Sequence, residues 1–269
     1  MIGDPEVFDR GGAEGPANLE PIDLGEGRFV PIVEVFPYLG SMIARDATSM
    51  EDVQTRVRKA SNAFGMLRQC IFASPHVSPL AKRLVYSTYI LGVLLYGAES
   101  WCLTAKQWAM LRTFHAKCVR VMCSVSKYQQ WRQHIKDMEL GLRLGISGID
   151  LYVQRKQMQW VGKMVLRGMS SLPRHMMSSW VYRPNWSKTE LWVRRVEGAP
   201  AWGRPKGCPE YTWGRGIMKT IRGLTLGSDW FEMAKNFCIW QTQVLDTKLK
   251  KDPSAKEVRE QSQRPAFSV

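Results

Sequence analysis

No two aspartates are adjacent anywhere in the 269 residues. Also missing are the G-x-x-x-x-G-K-[ST] phosphate loop, the H-E-x-x-H zinc helix and the G-x-S-x-G nucleophile turn. These absences exclude the chemistries that those signatures carry. Histidine is scarce, at four residues, and the six cysteines (Cys70, Cys102, Cys118, Cys123, Cys208, Cys238) contain no C-x-x-C pair. Scattered cysteines in a chain of this size read as reduced thiols, which suggests an intracellular protein, in cytoplasm or nucleus rather than secreted. His115, Cys118 and Cys123 form the sole candidate metal cluster, but only the first two share a helix face, and a tetrahedral site needs four ligands. Core packing is the better reading, and no metal is assigned. The longest uncharged run, Leu84 to Ala98, is fifteen residues and includes Ser, Thr, Tyr and Gly. That is too short and too polar for a bilayer span, so a buried helix is expected and no membrane partner.

Positive charge and tryptophan are abundant. The net charge is +14, and there are eleven Trp. Residues 1–28 carry seven acids against Arg10 and Arg28, whereas residues 151–228 carry fourteen Lys and Arg against Glu190, Glu197 and Glu210. Such segregation points to a surface that meets phosphate, hence to RNA, DNA or an RNA–DNA hybrid as partner. The alternative is a basic surface that serves solubility.

Patterning predicts a mainly α chain. Residues 1–28, rich in Gly, Pro and acid, read as disorder or loop, and 29–45 as a strand or hairpin. Pro37 confines that strand to a sheet edge or hairpin arm. Ser49-Met-Glu-Asp52 resembles a capping box. It opens a helix with Val53, Val57, Ala60, Phe64 and Leu67 on one stripe and Arg56 and Arg68 at its borders. A second helix starts at Pro79, with Leu80, Leu84, Leu91 and Leu95 inward. A third starts at the box Thr104-Ala-Lys-Gln107 and runs through Leu111, Phe114, Cys118 and Val121. Residues 46–140 thus form one helical domain. The Gly- and Ser-containing stretch 141–149 reads as a linker, with Asp150 capping the next helix, which carries Leu151, Met158, Val161 and Val165 inward. Residues 150–245 form a basic, Trp-rich helical region that is irregular from 170 to 212. Trp230 and Trp240 are expected in a core, and 246–269 is a polar tail.

Phosphate candidates are Arg58 and Lys59 on the first helix, Lys82 and Arg83 on the second, and Lys117 and Arg120 on the third. A solvated helix face gives the same pattern. Further on, Trp180, Trp186, Trp192 and Trp202 interleave with Arg183, Arg194, Arg195, Arg204 and Lys206. Exposed rings could stack unpaired bases while the cations track the backbone, or the rings could fill a small irregular core.

Six stretches, in order, resemble one family. They are Phe36-Pro-Tyr-Leu-Gly-Ser41, then Arg56-Val57-x2-Ala60-x3-Phe64-x2-Leu67, Leu94-Leu-Tyr-Gly-Ala-Glu-Ser-Trp101, Trp160-Val-Gly162, Gly203-Arg-Pro205 and Trp230-x3-Ala234-x5-Trp240. Together they resemble the C-terminal part of non-LTR (LINE-type) retrotransposon reverse transcriptases. The resemblance implies that the 29–45 stretch is the palm's last hairpin, that the helices after it form a thumb-like domain, and that the basic region binds nucleic acid. It also implies that the catalytic aspartates, with the Mg²⁺ ions of two-metal chemistry, belong to a part of the parent enzyme that precedes this stretch. The chain would then bind without polymerising alone, with no catalytic residue and no cofactor of its own. Departures from the family pattern are Lys163 in place of the His of W-x-G-H, Arg167 one position late, Trp213 displaced, and no Cys-Cys-His-Cys knuckle. Two alternatives remain: an exon or mis-called frame of an intact reverse transcriptase, and a non-enzymatic helical interaction protein with a basic surface.

Overall fold

A computed structural model describes residues 22–23, 25, 27–45, 48–167, 171, 213–224, 226 and 230–249. It begins with two small antiparallel ladders: β1 (Ile22–Asp23) on β2 (Phe29–Val30), and β3 (Val35–Tyr38) on β4 (Ser41–Ala44). The first corrects the reading of residues 1–28 as all loop. The second is the expected hairpin. Its two-residue turn holds Leu39 and Gly40 at φ values of 46° and 85°, the left-handed region that glycine tolerates best. Alternation along the ladder sends Val35, Met42 and Ala44 toward the helices and leaves Phe36, Tyr38 and Ile43 on an exposed apolar face.

The rest is helical. α1 (Met50–Leu67) continues into a π-helical turn, Arg68–Phe72; α2 (Pro79–Val85) continues through a second, Tyr86–Ile90, into α3 (Leu91–Leu94). A 3₁₀ turn, Ala98–Ser100, leads to α4 (Ala105–Met122), α5 (Lys127–Arg132), α6 (Asp137–Leu144) and α7 (Ile149–Val165). After residues 172–212, which lie outside the description, come α8 (Trp213–Gly223), α9 (Trp230–Lys235) and α10 (Phe237–Ile239), the last extended by a π-helical segment, Trp240–Lys248.

Several starts and stripes match the sequence. Val53, Ala60 and Phe64 are buried on α1 with Val57 and Leu67 beside them. Pro79 occupies the first turn of α2, capped by Ser78. Gln107 Oε1 accepts from the Thr104 amide at 2.6 Å to close the α4 box. Others differ. Ser49 and Asp52 form no box, because tertiary donors claim both side chains: the Cys102 amide reaches Ser49 Oγ at 3.2 Å. Leu80 and Leu84 are each 61% exposed, and Lys82 and Tyr86 point inward instead. The π turn at Tyr86–Ile90 adds a residue and shifts the stripe's phase, so the register of Leu91 and Leu95 does not extend back into α2.

The expected linker at 141–149 is packed structure. Gly141 is buried, and a Cβ there would stand 2.6 Å from the Ile146 carbonyl oxygen. Gly145 ends α6 in the left-handed region at φ 67°, and Leu144, Ile146 and Ile149 are core residues. These glycines serve close approach and chain reversal rather than flexibility. Asp150 does not cap α7, which follows Gly148; its carboxylate instead holds Arg112 Nε at 3.1 Å from both oxygens.

Two apolar clusters result, and α7 belongs to both. Tyr152 and Val153 join the first, built on Phe64, Phe72, Tyr86, Leu94 and Leu111; Met158, Val161 and Val165 join the second, with Ile217, Ile221, Trp230 and Trp240. Trp230 and Trp240 are therefore core, as expected. Gly162 faces Trp240 so closely that a Cβ would lie 2.5 Å from the indole. Trp240 Nε1 donates to the Met158 carbonyl at 2.9 Å. Arg155 fixes the last helix from α7, donating to the Leu245 and Leu249 carbonyls and to Asp246.

In the first core His115 Nδ1 lies 2.9 Å from Tyr86 Oη. Burial pushes its imidazole down to about 4, outweighing the opposing pull of a backbone hydrogen bond at Ser147. The unfolded chain, with an ordinary histidine, therefore binds a proton that the folded chain refuses between about pH 6.5 and 4. Stability should be full above that window and fall as pH drops through it, by about 3 kcal/mol from this group. Urea midpoints of the wild type and His115→Gln across that range should show a shallower acid slope for the variant.

Candidate nucleic-acid interface

The described cations divide into those facing solvent and those used to hold the fold. Arg58 and Lys59 are exposed on α1, about 100° apart around the axis and both away from the core stripe. Arg58 Nη2 donates to Thr55 Oγ1 at 3.2 Å, which leaves the guanidinium outward. Lys117 is exposed on α4, and Arg83 is half-buried on α2. Lys82 is buried, with Nζ 3.4 Å from the Met122 carbonyl at the end of α4, so it is corrected from a phosphate ligand to a helix-end contact. Arg120 is half-buried and engaged with Gln130 at 3.3 Å and Asp137 at 3.5 Å. Arg183, Arg194, Arg195, Arg204 and Lys206 lie outside the described residues, as do Trp180, Trp186, Trp192 and Trp202.

The structure adds cations that the sequence reading passed over. Lys156 and Lys163 are exposed seven residues apart on α7, hence on one face, and Lys219 and Arg222 are exposed three apart on α8. A cleft of about 370 Å³ opens between α4, α7 and α8, lined among others by Trp108, Arg112, Asp150, Trp213 and Lys219. Arg112 there is tied to Asp150, and its guanidinium lies 5.5 Å from the centre of the Trp108 ring.

Some of the residues that carried the family likeness, Gly40, Ser41, Arg56, Tyr96, Gly97 and Trp101, meet in space around Asp52. Asp52 is buried and accepts from the Met42 amide at 3.0 Å and from Trp101 Nε1 at 2.7 Å. Arg56, also buried, donates Nη2 to the Gly40 carbonyl, and its Nε stands 3.7 Å from Asp52. The Arg56 guanidinium lies 4.3 Å over the Tyr96 ring, whose hydroxyl donates to the Leu39 carbonyl at 2.9 Å. Gly97 takes φ 77°, and a Cβ there would stand 2.9 Å from Ser41 Oγ. The hairpin turn, α1 and the segment around Tyr96–Trp101 thus lock at one node. A second lock joins the later stretches: Trp160 meets Trp213 edge-to-face at 5.1 Å, and Trp213 Nε1 donates to the Glu99 carbonyl at 2.8 Å. These side chains are placed to join segments rather than to meet a ligand.

Neither the protein-family models nor the curated proteins nor the solved structures contain a match to the chain.

Removing one partner of a buried ion pair strands the other, at a cost of about 3–5 kcal/mol. Asp52→Ala should lower stability by that amount in urea denaturation. Asp52→Asn, which keeps an acceptor for Met42 and Trp101, should lose less. Equal losses would assign the whole effect to the charge and none to the two accepted hydrogen bonds.

Proposed function

We propose that this chain is the thumb-like and C-terminal part of a non-LTR retrotransposon reverse transcriptase, and that it holds RNA, DNA or an RNA–DNA hybrid through cationic helix faces. The observation that carries the reading is the order and spacing of six short motifs along residues 36–240. The meeting of Gly40, Arg56, Tyr96 and Trp101 around Asp52 supports it, because a shared scaffold is the physical reason such residues would recur together. The apolar face of Phe36, Tyr38 and Ile43 also fits a hairpin that packs on a larger sheet.

The role is binding, not chemistry. In a complete enzyme of this kind, Mg²⁺ held on aspartates assists attack by the primer 3′-hydroxyl. Among the described residues no group of three or more His, Cys, Asp and Glu is placed to hold a metal ion, so no step is assigned to one here. Arg58, Lys59, Lys117, Lys156 and Lys163 face solvent and would bind by displacing counterions from phosphates. Contacts to phosphates carry no sequence information, so binding through these faces is indifferent to sequence.

Fluorescence anisotropy on a labelled RNA–DNA hybrid tests this. The logarithm of affinity should fall with the logarithm of salt concentration by roughly 0.7–0.9 per phosphate contacted. Replacing Arg58 and Lys59 together by Ala should make that slope shallower by about 1–2. A flat salt response would sink the proposal and favour a helical interaction protein whose charge serves solubility. Primer extension with Mg²⁺ and dNTPs should give no incorporation by this chain, and any extension above an enzyme-free control would overturn the non-catalytic assignment.

A further inference from the structure

Tyr128 and Trp131 are 64% and 73% exposed, although both sit in a helix. Elsewhere the described tryptophans are buried or half-buried. These two residues lie on α5, a helix of six residues with none buried. A folded chain gains nothing from leaving two of its largest apolar rings in water, since each forfeits most of the roughly 150–250 Å² that such a ring buries when packed. Their exposure therefore calls for an occupant.

The helix that carries them is firmly set. Ser126 Oγ accepts from the Gln129 amide at 3.1 Å while Gln129 Oε1 accepts from the Ser126 amide at 2.9 Å, a complete capping box. On the inner side Gln130 Nε2 donates to the Ile135 carbonyl at 3.1 Å and to Asp137 at 2.7 Å, and its Oε1 accepts from Arg120. At about 100° per residue, Gln130 lies outside, and about 130° from the centre of, an arc of about 140° that presents, in angular order, Lys127, Trp131, Tyr128 and Arg132. The two rings are 6.4 Å apart at 37°, and a cation stands on either side of them. Lys127 and Arg132 are both exposed and enter no ion pair among the described residues.

We propose that the outer face of α5 is a stacking platform for single-stranded nucleic acid. Trp131 and Tyr128 take the faces of unpaired bases, and Lys127 and Arg132 take the phosphates on either side. The charge pattern selects this occupant over an apolar protein surface. A protein partner would have to desolvate or neutralise two cations at the patch edge, whereas a polynucleotide supplies anions beside every base. Every base has a π face, so the platform is sequence-tolerant. It rests on the polyanion-binding reading above and adds to it a site that distinguishes unpaired strands from duplex, whose bases are already stacked.

Full-length chain is titrated with two labelled probes of equal length and charge, a uridine oligomer of about ten nucleotides and an abasic ribose-phosphate strand. The Trp131→Ala variant should bind the uridine oligomer roughly 5- to 150-fold more weakly and the abasic strand as the wild type does. Trp131→Phe should recover most of the loss. No α5 side chain is buried, so the melting temperature should not move, and a thermal melt verifies this. If wild type binds both probes and Trp131→Ala changes neither, the platform is wrong while the cationic-surface reading stands. If wild type binds neither probe, both fall. Equal weakening on the two probes also overturns stacking. Unchanged nucleic-acid binding together with lost self-association in light scattering would assign the rings to a protein interface.

Discussion

Asp52 and Arg56 are charges that the fold has taken out of water, and the placement of the hairpin depends on them. Burying an ion is costly unless its partners are in place. Asp52 has three: a backbone amide from β4, an indole from the start of the α4 approach, and the guanidinium one helical turn on. Arg56 in turn reaches the turn between β3 and β4 and lies over Tyr96. Its Nε, at 3.7 Å, is too far for a hydrogen bond to the carboxylate, and that atom has no other partner. The pair is therefore less than fully satisfied and acts by directing which segments meet. A two-stranded ribbon is at best marginal by itself, so its orientation comes from this node and from the apolar side of β4 on α1.

The second core works by shape instead. Gly162 lets the Trp240 ring lie against α7, the indole nitrogen bonds Met158, and Arg155 gathers carbonyls at the far end of the last helix. One of the three cations on α7 is thus internal work. Arg155 is unavailable to a phosphate, whereas Lys156 and Lys163 face outward from the same helix. Counting Lys and Arg in a basic block overstates the surface they offer.

The sequence announced the helices well and their neighbours poorly. The α1 stripe, Pro79, the Thr104 box and the buried Trp230 and Trp240 follow from spacing and capping rules that act within a few residues. Three failures have one cause each. The π turn after Val85 broke a period read as constant, which exposed Leu80 and Leu84 and buried Lys82. Gly141 and Gly145 looked like flexibility, but a missing Cβ equally permits contact, and only tertiary structure distinguishes the two. Arg56 looked like a border residue because a guanidinium is ordinarily solvated, and its carboxylate partner, although four residues away, was assigned to a cap. For the site, Arg58, Lys59 and Lys117 face solvent as read, while nine candidates fall outside the described residues. Tyr128 and Trp131 were overlooked because six residues are too few for periodicity to reveal a face. The available signal was their order between Lys127 and Arg132, which places a cation four residues from each ring.

Because α7 ends one core and begins the other within five residues, from Val153 to Met158, it behaves as a shared axle. A twist or tilt imposed on its first half is delivered to the second without an intervening hinge. The packing of α8 to α10 and that of the helices around His115 therefore share one backbone, and displacing α7 would disturb both cores at once.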